Sequence, residues 1–250
     1  MIWTLAGREL KTLFLSPLAW VILAIVQGLC AYFFLLYLDL FMQLQPRIAA
    51  APSGPGVTDI VVAPLFSTAA TVLLLVVPLL TMRLVSEERR AKTLSLLISA
   101  PVSMTEIILG KFVGVFIFVF IMLLFIAIMP LSLLVGGSID TGLWLSGFLG
   151  LILLLGTFCS IGLFISTLTK QPTVAAIGTF GILLLLWILN LAGSTGNGGG
   201  ELFAYLSLLT HYQQLLQGIF SSSDIVYYLL VTITCLILSI RRLDADRLQH

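Results

Sequence analysis

The sequence predicts an all-α polytopic membrane protein with six transmembrane helices. Hydrophobic residues make up 60% of its 250 residues and charged residues only 9%, whereas a soluble domain needs more charge to cover its surface. Apolar runs of about 18 residues or more recur along the chain, and each can cross a hydrocarbon core about 30 Å thick. Backbone polar groups in lipid must be satisfied within their own segment, so we expect these runs to be helices.

The six apolar runs are each assigned to one transmembrane span. In chain order they cover residues 17–41, 61–84, 104–135, 143–168, 173–191 and 225–240. The first run is too long for the apolar region of a signal peptide, so we expect it to be retained.

The basic residues predict the orientation of the chain. Eleven of the twelve Lys and Arg residues fall on one side of the predicted spans, and Arg47 alone falls on the other. Because Lys and Arg are enriched in cytoplasmic loops, we expect the basic side and both termini to be cytoplasmic. We divide this single domain of residues 1–250 into an N-terminal segment (1–16), spans one and two (17–85), a connection (86–103), spans three to five (104–192), an outer segment (193–223), span six (224–241) and a tail (242–250).

The sequence lacks the motifs of the common enzyme and transporter chemistries. The Gly-Lys pair at Lys111 has neither the upstream Gly nor the following Ser or Thr of a phosphate-binding loop. Neither H-E-x-x-H nor G-x-S-x-G occurs, and Cys30, Cys159 and Cys235 have no metal-ligand or redox spacing. The spans contain essentially no charge at mid-depth, where ion-coupled transporters place their relays. We therefore expect no catalytic residue, metal or cofactor on this chain, and an energy input from outside the bilayer.

The N-terminal segment is predicted to be an amphipathic helix on the cytoplasmic leaflet. One face carries Trp3, Ala6, Leu10, Leu13 and Phe14, and the other carries Thr4, Arg8, Lys11 and Thr12. Ser16 and Pro17 then suit the N-cap and first position of span one. A simple membrane-surface anchor is the alternative interpretation.

The connection between spans two and three is predicted to contain a short surface helix. Its first half carries the charged residues Glu87, Glu88, Arg89, Arg90 and Lys92, and its second half carries the apolar stripe Leu94, Leu97 and Ile98. Pro101 breaks this helix, and Ser103 with Glu106 forms the capping box of span three. A basic topology signal would explain the arginines but neither the paired glutamates nor the apolar stripe. The pattern favours a mechanical input from a soluble partner.

The outer segment is predicted to contain a second helix, from Glu201 to Phe220, after a glycine-rich run. Its apolar residues are Leu202, Tyr205, Leu206, Leu209, Tyr212, Leu216 and Phe220, and its polar face carries Ser207, Thr210, Gln213, Gln214 and Gln217. Such a helix lies either at the outer interface or dips into the bilayer as a re-entrant element. We expect Ser222, Ser223 and Asp224 to cap span six.

In the order of its parts, the chain resembles the permease subunits of ABC-2 type ATP-binding cassette transporters. The densest similarity runs from Pro78 to Ser103, with a T-L-x-L-L stripe at residues 93–97 and a P-V-S break at 101–103, and continues to the Gly-Lys pair at Lys111. Within that family the chain is most similar to the permeases of gliding motility and of nitrous-oxide reductase maturation. Many such proteins carry Gly where this sequence has Lys92.

The resemblance implies a permease without its own nucleotide site. It implies a second permease copy, most simply in a homodimer, and cytoplasmic ATPase subunits that bind ATP and Mg. It assigns the ATPase contact to a coupling helix with Glu87, Glu88, Arg89, Arg90, Lys92, Leu94, Leu97 and Ile98, and a connecting helix to Trp3, Arg8 and Lys11.

We expect an exporter of a hydrophobic or bulky substrate in a bacterial cytoplasmic membrane, with the lipid bilayer but no nucleic acid as a further partner. One alternative is a permease that transmits force to a periplasmic or membrane-anchored accessory protein. Another is a membrane assembly or scaffold protein without transport.

Overall fold

The computed structural model describes residues 1–49, 56–93, 102–135, 140–193 and 205–248, and every regular element in these ranges is helical. The α-helices are α1 (Ile2–Leu15), α2 (Pro17–Ala49), α3 (Ala63–Thr81), α4 (Ser86–Arg90), α5 (Met104–Leu131), α6 (Thr141–Leu168), α7 (Pro172–Gly193), α8 (Leu208–Leu216) and α9 (Ser222–Leu248). A π-helical turn (Thr58–Val62) precedes α3, and a 3₁₀ turn (Ser132–Val135) follows α5.

Six stretches of the described chain are long and apolar enough to cross a membrane, in the predicted order. They are Pro17–Pro46, Thr58–Arg90, Met104–Leu131, Thr141–Leu168, Pro172–Leu189 and Ser222–Arg247. The predicted fold class, an all-α polytopic membrane protein, is therefore confirmed.

The helix of span six extends beyond the predicted span. The sequence suggests a span over residues 225–240 and a separate tail from residue 242, but α9 runs without interruption from Ser222 to Leu248. The residues after Ile240 include neither Gly nor Pro, so no strong stop signal ends the helix there. Ser222 and Ser223, predicted as caps, already belong to the first turn of α9.

Helix α6 lies at the centre of the bundle and packs through small residues. Two thirds of its apolar window is buried, and it contacts α3, α5, α7, α8 and α9. The Ser146 hydroxyl donates to the Leu215 carbonyl of α8 at 2.6 Å, and a Cβ added at Gly150 would lie 3.1 Å from Leu215 Cβ. Ser146 and Gly150 thus allow the close contact of α6 with α8.

The outer helix is shorter than predicted, and its buried face is different. Of the predicted range 201–220, residues 201–204 lie outside the described chain, and α8 covers only Leu208–Leu216. Its buried face consists of Leu208, His211, Tyr212, Leu215 and Leu216. Tyr205, Leu206 and Phe220, predicted as part of the apolar stripe, are exposed, whereas the predicted polar residue Ser207 is buried.

A buried histidine fastens α8 to α9. His211 Nδ1 lies 2.6 Å from Asp224 Oδ1, and Nε2 lies 2.7 Å from the Tyr205 carbonyl oxygen. The Tyr227 ring stacks on the imidazole with a centroid distance of 4.3 Å. Asp224, which the sequence predicts only as a cap of span six, therefore also anchors the outer helix.

The contact of α6 with α3 yields a test of the packing. Gly162 lies directly against Thr81, and a Cβ at this position would overlap the Thr81 side chain. Replacing Gly162 by Leu should lower the free energy of unfolding by about 1–3 kcal/mol or more, because overpacking displaces one helix from the other. Thermal unfolding in detergent measures the loss. The matched control is Gly181→Leu, because nothing lies within 4 Å of the Cβ position at Gly181; equal stability of the two variants would contradict this contact.

Candidate coupling site

We use the term basic end for the end of the bundle formed by α1, α4, the first turns of α5 and α7, and the last turns of α6 and α9. Here α1 lies in a groove on α5. A Cβ added at Gly110 would lie 2.6 Å from Leu5 Cβ, and one added at Gly114 would lie 2.8 Å from Glu9 Cβ. Because small residues at i and i+4 let two helices approach closely, α1 is docked onto a membrane-spanning helix and is more than a surface anchor.

Lys111, between these two glycines, is the centre of the site. Its side chain is only 5% exposed, and its Nζ lies 2.8 Å from Glu9 Oε1 and 2.7 Å from Glu88 Oε1. A buried ammonium is strongly unfavourable without charged partners. The triad of Lys111, Glu9 and Glu88 therefore ties α5 to both α1 and α4.

The first turn of α4 is capped from another helix. The Val85 and Ser86 N–H groups both donate to Ser166 Oγ on α6 at 3.1 Å, and Ser166 Oγ donates to the Met82 carbonyl at 3.1 Å. A hydroxyl has one donor and two acceptor sites, so all three are used. Because the N-cap residue Val85 cannot cap through its side chain, Ser166 satisfies N–H groups that the start of a helix leaves free.

The last turn of α4 is joined to α9. The Arg89 guanidinium forms an ion pair with Asp246, and Arg242 Nη2 lies 3.9 Å from the other oxygen of the same carboxylate. The Arg89 and Asp246 side chains are 10% and 16% exposed, so this pair is largely shielded from water. Helix α4 is thus held by side chains of α5, α6 and α9 and, through Lys111, by α1.

The predicted coupling residues divide into two groups. Glu88 and Arg89 point into the bundle and form the ion pairs above, whereas Glu87, Arg90 and Lys92 are exposed. Leu94, Leu97, Ile98 and Pro101 lie outside the described residues. The predicted connecting-helix residues Trp3, Arg8 and Lys11 are exposed, and the structure brings none of them into the triad.

The surface helix is shorter than predicted from its charge pattern. Helix α4 ends at Arg90, and Lys92 has a φ of 56°, a left-handed conformation that favours Gly. The chain therefore turns before the apolar stripe. The capping box of span three is confirmed, because the Glu106 N–H donates to Ser103 Oγ at 3.2 Å and the Ser103 N–H donates to Glu106 Oε2 at 3.1 Å.

Two depressions flank the exposed side of α4. One of about 510 Å³ is lined in part by Arg83, Glu87 and Arg90. The other, of about 570 Å³, is lined by Arg89, Arg90, Lys92, Lys170, Gln171, Pro172 and Thr173. Of the four cations in the second lining, Arg89 is already paired with Asp246.

Sequence reasoning missed Glu9, Lys111, Ser166 and Asp246 as members of this site. Two of them could have been found from the sequence. Lys111 is the only charged residue within the apolar part of its span and therefore needs a residue of opposite charge. Glu9 is the only acidic residue of α1. No local signal marks Ser166 or Asp246. Among the described residues, no group of three His, Cys, Asp or Glu side chains is placed to hold a metal ion.

These features define a polytopic membrane protein with a short surface helix built into its bundle by ion pairs. The family model described as ABC-2 family transporter protein matches residues 3–248. The chain therefore belongs to the ABC-2 transporter family, as a membrane permease subunit of an ABC transporter. This family implies a cytoplasmic ABC ATPase as partner, and its membrane subunits are generally non-catalytic.

No match was found among curated proteins. The narrower similarity to gliding-motility and nitrous-oxide reductase permeases stays a prediction.

The triad yields a test of the site. Replacing Lys111 by Met should lower the free energy of unfolding by about 3–5 kcal/mol, because two shielded carboxylates lose their partner. Thermal unfolding and protease cleavage of α1 in detergent measure the effect. The triple variant Glu9→Gln, Glu88→Gln, Lys111→Met should recover most of the stability.

The matched control for this prediction is Lys170→Met. Lys170 is exposed at the same end of the bundle, so the variant removes an equal charge without leaving a carboxylate unpaired. A Lys111→Met protein as stable as the Lys170→Met protein would rule out the triad as a structural centre.

Proposed function

We propose that this chain is the permease of an ATP-driven exporter and that α4 receives the movement of a cytoplasmic ATPase subunit. The observation that carries this proposal is the attachment of α4, which is bonded to α5, α6 and α9 and, through Lys111, to α1. A helix fixed to four others cannot be displaced alone, so a push on it moves the bundle.

The exposed side of α4 is the proposed ATPase contact. Glu87, Arg90 and Lys92 form its mixed-sign surface, which can set the register against a soluble partner. On sequence grounds, Leu94, Leu97 and Ile98 add the apolar anchors that usually supply most of the binding energy of an interface. Glu88 and Arg89 act inside the permease, because they are engaged in its own ion pairs.

The remaining parts of the proposal concern the assembly. Two copies of the permease, most simply a homodimer, work with ATPase subunits that bind ATP and Mg, in a bacterial cytoplasmic membrane. The spans, essentially uncharged at mid-depth, support export of a hydrophobic or bulky substrate. A related alternative is a permease that transmits force to a periplasmic accessory protein. An alternative from a different class of protein is a membrane scaffold without transport.

The orientation can be tested on the two ends of the bundle. With Cys30, Cys159 and Cys235 replaced by Ala, a membrane-impermeant maleimide applied to intact cells should label Gln217→Cys and should not label Arg90→Cys. Both positions are exposed in the structure, so access is decided by the membrane. Labelling of Arg90→Cys in intact cells, with Gln217→Cys labelled only after lysis, would reverse the orientation and remove α4 from the cytoplasm.

The ATPase contact can be tested by charge reversal. Glu87→Lys with Arg90→Glu keeps the net charge and should lower co-purification of the P-loop ATPase from the native host about tenfold, since the matched charges at the contact become like charges. Quantitative mass spectrometry of the tagged permease measures the recovery.

The matched control introduces the same two charges at the opposite end, as Gln213→Lys with Gln217→Glu. Both glutamines are exposed, and this variant should recover the ATPase like the wild type. The exposed side of α4 is not the contact if the α4 variant and the control recover the same amount of ATPase.

A further inference from the structure

A cavity of about 300 Å³ lies at the basic end between α1, α2, α3 and α4. Its lining is amphipathic. Leu18, at the start of α2, and Leu79 and Leu80, at the end of α3, form part of an apolar wall at the ends of two membrane spans. Arg8 of α1 and Arg83, just after α3, line the same cavity with polar head groups.

The two arginines have no polar side-chain partner among the described residues. Within the described ranges, Arg8 and Arg83 form no ion pair, and their guanidinium groups make no hydrogen bond. The third cation of the lining, Lys111, is already engaged by Glu9 and Glu88. Three carboxylates (Glu9, Glu87 and Glu88) line the cavity beside its three cations, and Arg8 and Arg83 are the two cations of the lining that no carboxylate of the described residues engages.

The chemistry of this lining fits a phosphate group attached to a hydrocarbon chain. Guanidinium groups match phosphate oxygens in geometry and charge, and two arginines from different segments can hold one phosphate between them. The leucines beside them are at the level where the spans end, which is where the first carbons of an acyl chain lie. A volume near the lower limit of about 300–1,000 Å³ for small-molecule sites suits a head group rather than a whole lipid.

We propose that this cavity binds the phosphate head group of a membrane phospholipid between Arg8 and Arg83. Its first acyl carbons lie against Leu18, Leu79 and Leu80. Only the assignment of this lipid to the cytoplasmic leaflet rests on the proposed function. Because the site contacts α1 and α4 together, the lipid becomes part of the surface on which the proposed coupling acts.

The test measures lipid retention by the detergent-purified chain. Native mass spectrometry, with phosphatidylglycerol added to the micelles, should show one phospholipid per chain in the wild type. The variant Arg8→Gln with Arg83→Gln should lower the lipid-bound fraction about tenfold, since it removes both charged phosphate contacts. Both side chains are exposed and unpaired in the described chain, so the variant breaks no contact that holds the described fold.

The matched control is Lys11→Gln with Lys170→Gln, which removes two positive charges from the same end without touching the cavity. It should retain lipid like the wild type. Equal retention by the arginine variant and the wild type would overturn the proposal. A second arm adds millimolar inorganic phosphate without phospholipid: binding of phosphate with the same arginine dependence, together with no retained lipid, assigns a simple anion site and also overturns it.

The same samples separate this proposal from the proposed function. Lipid loss in the arginine variant supports the lipid site whether or not the ATPase co-purifies. Loss of the ATPase in the α4 charge-reversal variant, with lipid retained, concerns the coupling contact alone.

Discussion

The buried ammonium of Lys111 is the interaction on which the arrangement of the basic end depends. Its burial is tolerable only with both Glu9 and Glu88 in place, at 2.8 and 2.7 Å, because an isolated buried charge would destabilise the fold strongly. The glycines on either side of it make the triad geometrically possible, since a side chain at Gly110 or Gly114 would hold α1 away from α5. The charge of Lys111 and the absence of side chains at Gly110 and Gly114 thus fix α1, α4 and α5 relative to one another.

Helix α4 depends on these contacts for its existence as well as its position. Five residues are far too few for a stable isolated helix, because nucleation costs more than so few hydrogen bonds return. Its ends are held from outside instead, by Ser166 at the start and by Asp246 near the end. Such an element is rigid only as part of the bundle, which is the property that a mechanical contact requires.

Helices and caps, which depend on neighbouring residues, can be predicted from the sequence, whereas ion pairs between distant positions cannot. Six apolar runs predict six helices because lipid leaves few alternatives for a chain, and the pair Ser103 and Glu106 predicts a capping box because its hydrogen bonds span three residues. The partners Lys111 and Glu9 are 102 positions apart, and Arg89 and Asp246 are 157 apart. Periodicity says nothing about such pairs.

The errors in the outer helix have the same origin. Its apolar stripe was predicted for a helix facing lipid, but α8 packs against α6, α7 and α9, so the buried face is chosen by its protein neighbours. That is why His211 and Ser207 are buried while Tyr205 and Phe220 are exposed. The early end of α4 likewise reflects the left-handed turn at Lys92. Because Lys92 continues the charge pattern of a helix, the sequence does not indicate that the helix ends before it.

Helix α6 connects the two ends of the molecule. Near its end, Ser166 accepts from the backbone of α4, and near its start, Ser146 donates to the backbone of α8. The two hydroxyls are about 30 Å apart along the helix axis, at 1.5 Å per residue. Both are buried and hydrogen-bonded to backbone groups, so a tilt of α6 that follows α4 also displaces α8. In the proposed function, this single helix, which has no charged residue, carries the movement from the ATPase contact to the outer end of the pathway.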